Sequence, residues 1–175
     1  MVFLDESGLM LQPLVRRTWA PVGRTPILCC WQRHDRLSLI SAFTISPVRQ
    51  HLGVYWIAHR GNVQHGEVMS FLRRIRCALG RDLIVVLDRL SAHKAAAARL
   101  STHSPGAFAF EWLPAYAPEL NPVEYLWKHT KYDDLANFVP LGIDDLEEHA
   151  NASLATTRTE PLILRGCLDL ARLPL

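Results

Sequence analysis

Three acidic side chains sit at or just past short apolar stretches: Asp5 after Val2-Phe3-Leu4, Asp88 after Leu83-Ile84-Val85-Val86-Leu87, and Glu124 within Pro118-Glu119-Leu120-Asn121-Pro122-Val123-Glu124. Three carboxylates in one place are the donor set that a two-metal phosphodiester site requires. Hard Mg²⁺ takes oxygen ligands, and two such ions activate the attacking oxygen and stabilise the leaving one. Each acid also has a plainer reading. Asn121-Pro122 reads as an N-cap followed by a first-turn proline, which puts Glu124 at N3, where a capping-box carboxylate reaches back to the Asn121 amide. Asp5 is followed by Glu6, and successive strand residues face opposite sides, so only one of the two can serve a given site.

These acids need elements to carry them. Met1–Asp5 reads as a buried strand that ends where the chain turns at Asp5-Glu6-Ser7-Gly8. Residues 14–32 read as a β-rich insert with a turn at Pro21-Val22-Gly23-Arg24. Arg36–Ile45 and Gly53–His59 are two further strands joined through Ser46-Pro47, which gives an antiparallel meander. Glu67–Leu79 carries Val68, Phe71, Leu72 and Ile75 at helical spacing and stops at Gly80. Asp82–Asp88 is a second buried strand. Ser91 is placed to cap a helix over Ala92–Leu100, with His93 and Lys94 in its first turn. Cations there oppose the helix dipole, so a phosphate, a nearby carboxylate or solvent must compensate them. Ala107–Leu113 is the next strand, and Pro114 and Pro118 stiffen the loop that leads to the helix starting at Asn121. Trp127 reads as core packing. Beyond Asp133 the chain is acidic, with a helix over Ile143–Leu154.

The 175 residues suit one domain, and 49% hydrophobic with 21% charged residues is an ordinary soluble composition. No apolar run approaches membrane-spanning length, so a cytoplasmic protein is expected. Cys29, Cys30, Cys77 and Cys167 form no Cys-x-x-Cys pair, so reduced, mostly buried thiols are expected rather than a zinc site. The net charge of +2 is unevenly spread: residues 1–131 hold 16 Lys and Arg against 9 Asp and Glu, and residues 132–175 hold 3 against 8. Arginine supplies most of that N-terminal positive charge, and its planar fork suits phosphate.

Asp5 at a strand end, Leu87-Asp88-Arg89-Leu90-Ser91-Ala92-His93-Lys94, and the stretch from Pro118 to Trp127 together resemble the triad of DDE-type transposases, in particular the mariner-like branch with its bacterial insertion-sequence members. The gap of 35 residues between Asp88 and Glu124 is close to that branch's spacing. Trp19-Ala20-Pro21-Val22-Gly23-Arg24-Thr25-Pro26 looks like the family's insert after the first strand. One position departs: the family usually has Asn after the second Asp, and here it is Arg89.

The resemblance implies an α/β ribonuclease H-like fold, a mixed five-stranded sheet flanked by helices. Residues 1–131 would be the catalytic domain and 132–175 its helical acidic extension. It selects Asp5 over Glu6, and assigns Asp5, Asp88 and Glu124 as catalytic, metal-binding residues for Mg²⁺, with Mn²⁺ as the alternative ion. His93, Lys94 and Lys128 become DNA-binding candidates, with a helix-surface histidine as the plainer reading of His93. The implied partner is double-stranded DNA, both transposon ends and target. A helix-turn-helix half from an upstream reading frame and a second copy in a homodimer are expected alongside it. The competing readings are a ribonuclease H-like nuclease without strand transfer and an inactive DNA-binding remnant.

Overall fold

The computed structural model describes residues 1–30, 35–46 and 48–173. Strand β1 (Val2–Met10) pairs antiparallel with β2 (Arg36–Ser46), and β2 with β3 (His51–His59), which makes the expected meander. On the other side of β1 lie the parallel strands β4 (Leu83–Leu87) and β5 (Phe108–Trp112). The order β3-β2-β1-β4-β5 puts the two acid-bearing strands side by side at the centre.

Strand β1 does not turn at Asp5–Gly8. It stays paired with β2 as far as Met10 opposite Arg36. Strand β2 offers a pairing partner along the whole length, and Gly8 lets the Arg36 side chain lie across the strand: a Cβ there would stand 2.7 Å from Arg36 Nε.

Alternation then sorts the core into two layers. Val2 and Leu4 of β1, with Ile40, Ala42, Val85 and Leu87, face helices α1 (His65–Leu79) and α2 (Ser91–His103). Phe3 and Leu9, with Leu37, Leu39, Phe43 and Val86, face α3 (Pro122–His129), α4 (Ile143–Thr159) and α5 (Pro161–Leu170). Helix α1 ends on Gly80 in the left-handed region at φ 62°, where glycine bears no Cβ penalty. Ser91 is the first residue of α2 rather than its cap. A π-helical turn over Thr130–Asp134 prolongs α3, and α4 runs five residues past the expected Leu154. Leu146, Ala150 and Leu154 of α4, with Leu164 and Leu168 of α5, are buried in the same layer as α3.

The insert differs from expectation. Residues 15–30 contain no strand, and Leu14 makes only an isolated bridge to Ala136; Trp31 and Gln32 fall outside the described residues. The turn is present, with Arg24 N donating to the Pro21 carbonyl at 3.0 Å and Gly23 at φ 79°. Prolines at 13, 21 and 26 remove ladder donors, and Trp19 and Val22 stand fully exposed. The thiols differ too: Cys29, Cys30 and Cys77 are exposed and only Cys167 is buried, because the first two lie in that insert and Cys77 faces outward on α1. Among the described residues no helix is long and apolar enough to cross a membrane.

Candidate active site

The parallel register matches Val2 with Val85 and Phe3 with Val86; carried two residues on, it sets Asp5 beside Asp88. Asn121 delivers the third acid. Its Oδ1 accepts from Val123 N at 3.1 Å as the cap of α3, and its Nδ2 donates to the Leu4 carbonyl at 3.4 Å. The helix start is thereby tied to the residue preceding Asp5, with Glu124 one turn in. The capping box is not formed, since the Asn121 amide donates to the Pro118 carbonyl at 2.9 Å. Asp5, Asp88 and Glu124 line one cleft of about 490 Å³, together with Arg89 and the loop from Leu113 to Pro118. Tyr116 of that loop is fully exposed at φ 59°.

Burial, then the neighbouring Glu124 and Asp88 charges, push the Asp5 carboxyl up to about 7 against the weaker opposing pull of a backbone hydrogen bond at Glu6 and of His93. Trp127 is buried as expected, but it is more than packing: its Nε1–H donates to Asp5 Oδ2 at 3.1 Å. Lys131 was not foreseen. Its ammonium lies in the field of Glu124 and Asp5, while burial, joined by Arg36, lowers its pKa. Its spacing of seven from Glu124, two helical turns, is the signal that would have found it.

His93 is not a surface histidine and cannot meet DNA directly, because it is wholly buried. Its Nδ1 faces Asp88 Oδ1 in a short contact, and its Nε2 lies 3.2 Å from Glu6 Oε1. Burial would lower the His93 pKa, but hydrogen bonds and charge from Glu6 and Asp88 outweigh it and the net shift is upward. The carboxylate needed to compensate a cation in the first turn of α2 is therefore supplied twice. Glu6 lies on the opposite side of β1 from Asp5 and does not line the acid cleft. Lys94 and Lys128 are exposed, and the Lys128 ammonium sits 4.6 Å from the centre of the Tyr125 ring.

Among the described residues no three His, Cys, Asp or Glu side chains converge tightly enough to cage an ion. The donor chemistry nevertheless fits a hard divalent cation: all three ligand candidates are oxygens, and two of them raise the pKa of the third.

A mixed five-stranded sheet with helices on both faces, one acid on its central strand β1 and another just past the neighbouring β4, defines a ribonuclease H-like α/β protein. More narrowly, residues 1–140 match the DDE superfamily endonucleases, and the chain belongs to that family. The fold is similar to that of a pre-cleavage Mos1 transpososome, at 18% identity and a TM-score of 0.72 over 98% of this chain and 52% of that one. It is similar to a Mos1 mariner paired-end complex with Mn, at 19% identity and 0.68 over 98% and 52%. A simian T-cell lymphotropic virus intasome in complex with the PP2A regulatory subunit B56 gamma shares it more distantly, at 14% identity and 0.55 over 90% and 48%. The chain spans about half the length of the Mos1 chains it matches. No curated protein matches the sequence.

Proposed function

We propose that this chain is the catalytic domain of a mariner-like DDE transposase, which cuts DNA at element ends and joins the freed ends to target DNA. The observation that carries the reading is that Asp5, Asp88 and Glu124, from two strands and a helix, line one cleft in a member of this family. In the first step a water oxygen bonds to phosphorus at the element end, and the bond to the 3′-oxygen breaks. In the second, that freed 3′-hydroxyl attacks a target phosphodiester, forming one P–O bond as another breaks. Asp5, Asp88 and Glu124 would hold Mg²⁺, or Mn²⁺ in its place. When bound, such ions supply Lewis-acid activation of the attacking oxygen and stabilise the leaving one.

The chain's own residues supply placement. Trp127 and His93 each hold an oxygen of one aspartate, and Asn121 fixes the helix that carries Glu124. Residues 1–131 form the catalytic part, with residues 132–175 as an extension that shares its core. The arginines of the N-terminal part, with Lys94 and Lys128, contact phosphate, whereas reading the bases of element ends falls to a helix-turn-helix partner. Assembly as a homodimer and action on nucleoid DNA in the cytoplasm complete the proposal. The test is a nicking and strand-transfer assay on element-end DNA with Mg²⁺, Mn²⁺ or chelator. Metal-dependent nicking followed by joining supports the reading. Nicking without joining makes the protein a nuclease, and binding without either makes it a remnant.

A further inference from the structure

We propose that Glu6 and His93 form a positioning relay that fixes the Asp88 carboxylate for metal binding from the far side of the sheet. The inference rests on the reading of Asp88 as a metal ligand. His93 is fully buried, while its neighbour Lys94 is exposed, so the ring is held in the interior rather than presented to solvent or DNA. A buried polar ring must have its nitrogens satisfied. Here each nitrogen meets a carboxylate: Nε2 meets Glu6 Oε1 at 3.2 Å, and Nδ1 meets Asp88 Oδ1.

The same Oδ1 also accepts from the Leu90 amide at 3.0 Å. Two donors thus fall on one oxygen of Asp88, which fixes the side-chain torsion and leaves Oδ2 as the ligand atom of a side chain that lines the cleft. Glu6 closes the relay because β1 continues through it. Asp5 is turned toward α3 and Glu6 toward α2, so a single strand supplies one acid to the cleft and the backing for a second. Glu6 and Asp88 are joined through the imidazole, a carboxylate–histidine–carboxylate chain. Partners that orient ligands in this way cost about 10–100-fold in metal affinity when removed.

Mn²⁺ titration of the full chain, followed by the EPR signal of the free ion, tests this without reference to turnover. Glu6→Ala is expected to weaken Mn²⁺ binding about tenfold or more. Glu6→Gln keeps an oxygen that accepts from Nε2–H, so its loss is expected to be about threefold or less. In an Asp88→Asn background, Glu6→Ala should produce no further loss, because its effect passes through Asp88. A defect of general structure would act equally in both backgrounds. Should Glu6→Ala fail to fold by circular dichroism, His93→Gln serves instead: it can reach toward Glu6 but releases Asp88, and the same tenfold loss is expected. Wild-type affinity in these variants, or equal losses with and without Asp88, overturns the relay alone. A wild-type chain that binds Mn²⁺ no better than Asp5→Asn overturns the reading of the cleft, and the relay with it.

Discussion

Strand β1 has two polar sides, and they are solved in opposite ways. On the α2 side, Glu6 is paired with a buried imidazole whose other nitrogen meets Asp88. On the α3 side, Asp5 faces Glu124 and Asp88, and among the described residues its one side-chain hydrogen-bond partner is the neutral Trp127 indole. One residue apart in sequence, the first carboxylate is compensated within the fold and the second is left charged against its own kind. A chain selected only for stability would not keep the second arrangement, since like charges in a half-buried cleft oppose ionisation. Such frustration suits a place for a cation, and the contrast is what the following predictions probe.

The largest effect is expected where the uncompensated side is cut down. Glu124→Gln and Asp88→Asn keep size and lose charge, so cleavage should fall about 10³-fold or more while circular dichroism stays unchanged. Nicking at the wild-type rate by Glu124→Gln would remove that residue from the site. Smaller is the effect of the one neutral donor. Trp127→Phe keeps most of the core volume and deletes only the bond to Asp5 Oδ2, so a cleavage loss of about tenfold is expected with a stability loss of about 1 kcal/mol. A large fall in melting temperature with unchanged cleavage would return Trp127 to the role of packing alone.

This contrast was half legible in the sequence. The unbroken apolar run of β4 announced a buried strand, and Asn121-Pro122 announced the start of α3, since period and cap chemistry are local properties. The candidate triad came from residue types, order and spacing, read through the family resemblance. Glu6 stands on the other face of β1, as strand alternation requires of a neighbour of Asp5, but its partner lies 87 residues away, and no local pattern encodes that pairing. The only trace was an uncompensated cation in the first turn of α2, which left a phosphate, a carboxylate or solvent equally open as its partner. Gly8 was misread as a turn because glycine signals both turns and close approach, and here Arg36 lies across it. The insert was misread because its aromatic and β-branched residues resemble strand residues, whereas strands also need a partner, and among the described residues of the insert Leu14 alone finds one.

The smallest effect is a matter of sign, and it separates the two sides of β1 most directly. In the folded chain Asp5 holds its proton up to about 7, whereas in the unfolded chain it is lost near 3.8. Between those values the folded state binds more protons than the unfolded one, so stability is highest below the unfolded value, falls as pH rises through this window, and is level above it. Asp5→Asn mimics the protonated side chain. Without metal at pH 8 it should therefore raise the melting temperature by about 3–6 °C, and the gain should vanish by about pH 4. Glu6→Gln at pH 8 should go the other way, by about 2–6 °C, because it weakens a partner of a buried ring and adds no relief. Mg²⁺ should stabilise the wild type by binding the folded state and do so far less for Asp5→Asn, which reverses their order. Differential scanning fluorimetry across pH, with Mg²⁺ and with chelator, reads all of these together. If both substitutions shift the melting temperature in the same direction without metal, the two sides of β1 are not electrostatically distinct, and the cleft has no charge waiting for a cation.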